Sequence, residues 1–244
     1  MGSDAWGREV AEVYDVTSAG MFAPAVLEPT VDLLADLAGE GRALEFAVGT
    51  GRVALPLSGR GIPVSGIELS EHMAGQLRQK PGGNAIAVTM GDMTSARAEG
   101  TFRLVYLVFN TIMNVLTQDE QVAVFVNAAA HLDPGGVFVV EVGVPRPMQL
   151  APGELGRAFT MEDNHVGIDT FDDFVGQILS SHHWMQVGDR LVRQSAPYRY
   201  VWPSELDLMA RVAGLQLRDR WSGWKREPFT EASSSQVAVY EKPS

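Results

Sequence analysis

Three acidic residues in the 244-residue sequence stand inside or at the ends of short apolar runs, where carboxylates can meet a ligand. Glu45 lies within Leu44, Phe46 and Val48, and the small residues Ala47, Gly49, Thr50 and Gly51 follow at once. A carboxylate inside an apolar run is costly unless something polar meets it. Glu68 closes the run that begins at Ile62, and Asp92 follows the run from Ala85 to Met90. A fourth run, Phe102 to Phe109, ends at Asn110. A carboxylate such as Glu68 can accept both hydrogen bonds of a ribose diol. Asp92 can accept from the exocyclic amine of an adenine while a neighbouring backbone N–H donates to the ring. Leu69, Met73 and Met93 can sandwich that ring, methionine being suited to irregular apolar gaps, although Met73 fits an ordinary core equally well. Gly49 and Gly51 let the backbone approach a ligand closely. Together these residues describe a site for an adenosine-type cofactor.

Such residues meet only if strands and helices alternate. Arg42 to Leu57 reads as strand, glycine turn and helix, with Pro56 near the first helical turn, where proline is tolerated. Ile62–Ile67, Ala85–Met90, Phe102–Phe109 and Val137–Val142 supply four more strands. Helices are expected at Glu71–Lys80, capped by Ser70, and at Gln118–Leu132, which Asp133-Pro134-Gly135-Gly136 turns back. Continuous apolar strands alternating with helices predict a parallel sheet covered on both faces. Two helical segments precede it, residues 4–22 with a break near Ser18–Gly20, and Pro29–Gly39. Residues 145–158 read as a loop. Beyond them Val175–Trp184 and Leu191–Tyr200 predict an antiparallel pair, and a helix from Pro203 and two strands, Leu215–Trp221 and Val237–Tyr240, end the chain. The expected fold class is α/β, a Rossmann-like seven-stranded sheet with helices on both faces and an antiparallel β insertion after the fifth strand. The expected units are an N-terminal helical lid (1–40), a cofactor-binding core (41–144), a β-rich acceptor lid (145–202) and a closing segment (203–244).

Composition narrows the function classes. Nineteen basic against thirty acidic residues give a net charge of −11, a poor match to nucleic acid, whose phosphates need Lys and Arg. Apolar runs such as Leu104–Phe109 are far too short to span a bilayer, and residues 1–20 lack the apolar core of a signal peptide. The absence of cysteine excludes a thiolate nucleophile and fits a reducing cytoplasm. No His/Asp/Glu spacing suggests a metal site, and no GxSxG elbow is present.

Gly49-x-Gly51-x-x-Ala54, with Glu68 nineteen residues after Gly49, formally fits the dinucleotide fingerprint, so a nicotinamide-dependent oxidoreductase is one alternative. Three features favour S-adenosylmethionine. Glu45 precedes the glycine pair by four positions, where it can reach an amino group of a methionine moiety directly or through water. A second carboxylate, Asp92, follows the third strand. Two helices precede the first strand.

At these residues the sequence resembles the class I S-adenosylmethionine-dependent methyltransferases. LEFAVGTGR is similar to the family's first motif, GIELS to its ribose-binding motif, GDM to its adenine-binding motif, and LDPGG-VFVVE to its turn and fifth strand. The resemblance covers about residues 10–144 and 203–241. It is nearest to bacterial small-molecule methyltransferases, including nucleotide-sugar N-methyltransferases. It implies methyl transfer to a small-molecule acceptor, at N or O rather than C, with Tyr14 covering the cofactor and Phe109 and Asn110 bordering the transferred methyl. Ala47 departs from the family pattern, which has glycine there, and leaves less room for the methionine moiety. A non-catalytic cofactor-binding protein is the other alternative.

In this family the segment after the fifth strand commonly builds the acceptor pocket. Here it carries His165, His182, His183, Trp184, Tyr198 and Tyr200. Strand alternation puts His182 and Trp184 on one face and His183 on the other. Trp184 is expected to face the acceptor. No catalytic residue is assigned; His182 and His183 are candidates for accepting a proton, against the plainer reading of structural histidines. Trp202, Trp221 and Trp224 mark either a packed seam or a homodimer interface, with core packing the expected role.

Overall fold

A computed structural model describes residues 6–146, 151 and 153–244. Eleven strands form two sheets among these residues. The seven-stranded sheet contains β1 (Ala43–Phe46), β2 (Val64–Glu68), β3 (Ala87–Met90), β4 (Phe102–Leu107), β5 (Leu132–Gly143), β10 (Gln216–Trp221) and β11 (Ser235–Glu241), in the order β3-β2-β1-β4-β5-β11-β10. The first five are parallel; β11 runs antiparallel to both β5 and β10. The order reverses at β1, whose carboxyl end therefore opens a crevice between the loops after β1 and β4.

Both faces of the sheet are buried. One face packs Phe46, Phe138 and Tyr240 against α5 (Gln118–His131), which contributes Phe125, and α6 (Pro203–Val212). On the other, Tyr106, Leu104 and Val139 meet α2 (Pro24–Ala38) and α3 (Ala54–Gly59). Continuous burial on both sides is why these strands read as unbroken apolar runs rather than alternating ones. Trp221 and Trp224 pack against this second cluster, as core packing requires.

The helix expected from Pro29 begins earlier, at Pro24, where proline fits the first turn. The turn expected at Asp133–Gly136 is instead drawn into β5: Leu132 pairs with Phe102, the register shifts, and Gly135 takes φ +73°. A β-bulge therefore starts the fifth strand early.

Two elements stand over the crevice. Near the N-terminus, α1 (Arg8–Thr17) packs on α4 (Glu71–Gln79). Asp15 accepts from Thr50 Oγ1 at 2.7 Å and pairs with Lys80 at 2.5 Å, while Ser70 Oγ donates to the Trp6 carbonyl at 2.6 Å. Between β5 and α6 lies an antiparallel sheet of β6 (Gly156–Glu162), β7 (His165–Asp173), β8 (Ile178–Val187) and β9 (Arg190–Arg199). The expected hairpin is thus present with slightly shifted bounds, and β6 begins within the stretch read as a loop. At its base Arg199 pairs with Glu205 at 2.7 Å, both groups buried, and Gln121 Nε2 donates to the Arg199 carbonyl at 3.2 Å. Burial around this pair fixes the small sheet to α5 and α6.

Candidate functional site

A cavity of about 320 Å³ lies where the carboxyl ends of β1, β2, β3 and β4 face α1 and the four-stranded sheet. The turn after β1 is its floor. Gly49 and Gly51 have φ of +57° and +81°, a region costly for other residues. A Cβ on Gly51 would stand 2.4 Å from Leu77 Cδ1, so glycine lets α4 pack against this turn; Gly51 itself does not line the cavity. Ala47 also has a positive φ, +54°, and it lines the cavity. Alanine carries a conformational strain there of roughly 1–2 kcal/mol that glycine would avoid.

Glu68 is the most constrained polar group at the floor. Its Oε2 accepts from Gly49 N at 2.8 Å and its Oε1 from Ser70 N at 2.8 Å. Burial raises its pKa, and the backbone N–H groups of Ser70, Gly49 and Leu69 oppose the rise. Each oxygen keeps a second lone-pair direction for a ligand hydroxyl. Leu69, Met73, Met93 and Ile67 line an apolar slot beside it. Asp92 stands at the slot's edge, its Oδ1 accepting from Thr94 N at 2.8 Å. A diol acceptor, an apolar slot and an amine acceptor in this order fit an adenosine.

Glu45 lies beneath the floor rather than on it. Sheet register places it beside Tyr106, whose hydroxyl donates to Glu45 Oε2 at 3.0 Å. Burial pushes its pKa up to about 8, against the Tyr106 hydrogen bond and the Arg52 charge. The carboxyl is therefore largely protonated at neutral pH, which is how the apolar run tolerates it.

The turn after β4 is strained. Phe109 and Asn110 take φ of +56° and +57° in succession. Glu141 holds them there: Phe109 N donates to its Oε2 at 2.7 Å, and Asn110 N to its carbonyl at 3.2 Å. Asn110 Oδ1 in turn accepts from Gly143 N at 2.7 Å, and Trp224 Nε1 fixes Glu141 Oε1 at 2.8 Å. Strain held by this many bonds marks a position where orientation matters. Both Phe109 and Asn110 line the cavity.

Opposite them is the small sheet. Leu179, Ser181 and His183 of β8 face the cavity together with Asp169 of β7 and Tyr198 of β9. The register explains this set, since Asp169 is opposite Ser181 and Leu179 is opposite Tyr198. Burial raises the pKa of Asp169, while its hydrogen bond from Ser181 and the nearby His182 oppose the rise. Burial also raises Tyr14 and Tyr198, which stay neutral hydroxyls. Tyr14 closes the cavity from α1, with Trp6 edge-on at 5.9 Å.

Of the residues singled out in the sequence, the fold brings Tyr14, Ala47, Gly49, Glu68, Leu69, Met73, Asp92, Met93, Phe109, Asn110 and His183 to one cavity. Glu45, Gly51, His182 and Trp184 do not line it. The expectation for Trp184 is corrected: it lies on the opposite face of β8, beside His182 and under the Arg193 guanidinium. His182, whose ring bonds Thr170 and Ser195, shares that face. Tyr198, named with the acceptor segment, lines the cavity as well, and sequence reasoning missed Trp6, Asp169 and Ser181. The places of Asp169 and Ser181 depend on strand register, which no local pattern announces, and that of Trp6 on its carbonyl accepting from Ser70 Oγ. Among the described residues no group of three or more His, Asp or Glu is placed to hold a metal ion, and no helix is long and apolar enough to cross a membrane.

Residues 43–136 match the family described as methyltransferase domain. The chain is 35% identical to the CcbJ methyltransferase of Streptomyces caelestis, with both chains covered completely and a TM-score of 0.87. It is 27% identical over 239 residues, 95% of each chain, to the cypemycin N-terminal methyltransferase of a Streptomyces species. The fold is also that of an amino pentose methyltransferase from Micromonospora echinaspora solved with S-adenosylmethionine bound, at 23% identity, a TM-score of 0.72 and coverage of 94% and 96%. Those matches exclude the nicotinamide alternative, and the chain belongs to the class I S-adenosylmethionine-dependent methyltransferases.

Proposed function

We propose that the protein methylates an amine nitrogen of a small-molecule acceptor bound between the strand ends and the four-stranded sheet. The observation that carries this reading is Asp169, a carboxylate facing the cavity from the side opposite the cofactor floor. A carboxylate there pairs with a cationic amine and orients its nitrogen, whereas an alcohol gives it a hydrogen bond without the opposite charge. The relative that bears the name N-terminal methyltransferase supports the same atom type.

S-adenosylmethionine supplies an electrophilic methyl group on a sulfonium. The rest is positioning. Glu68 holds the ribose hydroxyls, Asp92 the adenine amine, and Leu69, Met73 and Met93 the ring. Gly49 and Ala47 pass beneath the methionine portion, with Glu45 behind them. Tyr14, Phe109 and Asn110 border the methyl group. α1 and the four-stranded sheet act as lids, the second of them shaping acceptor choice, whereas α2, expected within the N-terminal lid, belongs to the core. Placing the nitrogen in line with the sulfonium accounts for much of the acceleration, since orientation alone removes several kcal/mol from such barriers, about 7–11 at best.

Asp169→Asn tests the reading. Methyl transfer from S-adenosylmethionine would be followed by mass spectrometry for an amino pentose, a peptide with a free N-terminus, and the hydroxyl counterpart of each. Turnover of an amine with its hydroxyl counterpart inert is expected. Asp169→Asn should raise the amine KM by about tenfold to a hundredfold, matching the loss of one charge-assisted hydrogen bond, with S-adenosylhomocysteine affinity unchanged. Equal turnover of amine and alcohol, or no change in KM, would remove Asp169 from the acceptor site.

A further inference from the structure

The acceptor half of the cavity continues into a pair of histidines that methyl transfer as described above does not use. His183 lines the cavity, and its Nε2 lies 3.2 Å from Ser181 Oγ. Its Nδ1 lies 2.9 Å from Nε2 of His165 on the adjoining strand β7. The two ring planes are 17° apart, and the centroids are separated by 5.2 Å. Two imidazoles joined edge to edge by one N–H···N bond stand at about this separation in nearly one plane, so the contact is an in-plane hydrogen bond rather than a face-to-face stack. Phe159 of β6 packs edge-on against both rings, 5.2 Å from His183 and 6.3 Å from His165, and fixes their orientation. Phe159 is itself accommodated only because Gly167 lacks a side chain: a Cβ there would stand 2.2 Å from Phe159 Cζ. His165 is the first residue of β7, half-buried, next to the exposed turn at 163–164.

We propose that His183 and His165 form a two-imidazole relay that carries the acceptor's proton from the methyl-transfer cavity to solvent at the edge of the lid. This rests on the reading of the cavity as a methyl-transfer site. An amine enters as the ammonium at neutral pH, because such groups have pKa values of roughly 8–10, and only its free base has a lone pair to attack a methyl carbon. One proton must therefore leave before that lone pair can attack. His183 takes it at Nε2 and releases the proton on Nδ1 to Nε2 of His165, which gives its own Nδ1 proton to water. One proton moves from acceptor to solvent, and both rings end neutral in exchanged tautomers, which revert by exchange with solvent once product has left. The charged groups around His183 suit this role. His165 and Asp169 face it from β7, Arg157 of β6 is opposite Asp169 in the register, Tyr198 stands on β9, Tyr14 on α1, and His182 is its neighbour on β8. Burial, with the nearby His165 and His182, lowers the His183 pKa, so the ring is neutral and ready to accept at pH 7.

The relay has two readouts. The first needs no acceptor. Long-range nitrogen–proton NMR on the protein saturated with S-adenosylhomocysteine reports each imidazole tautomer. Outward transfer requires His183 in the Nδ1–H form, with Ser181 Oγ, 3.2 Å away, turning its proton from Asp169 to the Nε2 lone pair until the acceptor replaces it; the Nε2–H form at pH 7 would overturn the proposal. The second is the pH dependence of kcat for the best amine of the panel, comparing wild type with His183→Gln and His165→Gln. Loss of a positioned proton acceptor should lower kcat by about 30–100-fold at pH 7 and by less than about threefold at pH 9.5, where the amine arrives already deprotonated. A merely structural pair of histidines would give an equal loss at both pH values, and that result, or no loss at all, sinks the relay. Failure to bind S-adenosylhomocysteine would instead overturn the methyl-transfer reading, which separates the two failures.

Discussion

The folded protein is expected to lose stability steadily between about pH 5 and pH 8, and Glu45→Gln is expected to abolish most of that loss. Glu45 is wholly enclosed in β1, and burial raises its pKa to about 8 from 4.5. The folded state thus keeps a proton that the unfolded chain releases in this window. Stability is full below the unfolded pKa and declines as pH rises through the folded one, by about 1.4 kcal/mol for each pH unit. Across the window this amounts to on the order of 3–5 kcal/mol. Glutamine keeps the shape and accepts from the Tyr106 hydroxyl, but carries no charge to titrate. Denaturant melts of wild type and Glu45→Gln at pH 5, 6, 7 and 8 check this. Parallel slopes for the two proteins would show that Glu45 is ionised in the folded state. The same group bears on the cofactor, because a cation bound above the floor would draw Glu45 toward its anionic form.

The second large effect concerns Glu68. Its two oxygens satisfy Gly49 N and Ser70 N, and so tie the turn after β1 to the start of α4. Glu68→Gln must turn an NH2 group toward one of those N–H donors. The variant should lose about 1–3 kcal/mol of stability from the unsatisfied donor. Affinity for S-adenosylhomocysteine should fall by about a hundredfold, since hydrogen bonds to a charged acceptor contribute roughly 1.5–3 kcal/mol each. Isothermal titration gives the affinity directly. Unchanged affinity in a folded Glu68→Gln protein would take Glu68 out of the ribose site.

Much of the floor was legible in the sequence because local rules place it. A parallel strand buried on both faces ends in a glycine turn, and the residue at the end of the next strand must face the same crevice. Glu68, Asp92, Phe109 and Asn110 follow from that rule alone. The lid resisted such reading. Alternation separates His183 from His182 and Trp184, but it does not say which face is inside. That is decided by the register of β7 and β9 against β8, which brings Asp169 to Ser181 and Tyr198 to Leu179. Trp184 is expected at the acceptor from its place in the segment after the fifth strand, yet it packs on the other face of β8 under Arg193. Glu141 was hidden for another reason. It lay in the fifth strand as one more residue of VFVVEV, and only the left-handed turn at Phe109–Asn110 reveals what its carboxylate holds.

The most direct measurement of the cofactor site is thermal melting with S-adenosylhomocysteine, S-adenosylmethionine, NAD and NADP in parallel, each far above the expected Kd. A ligand at about 100 times its Kd stabilises the folded state by roughly 2.7 kcal/mol, which for a chain of this size raises Tm by about 5–11 °C. A rise of that size with the two adenosyl-sulfur ligands and none with the nicotinamides is predicted. A rise with NAD or NADP alone would contradict the assignment of Glu68, Asp92 and the glycine turn to S-adenosylmethionine.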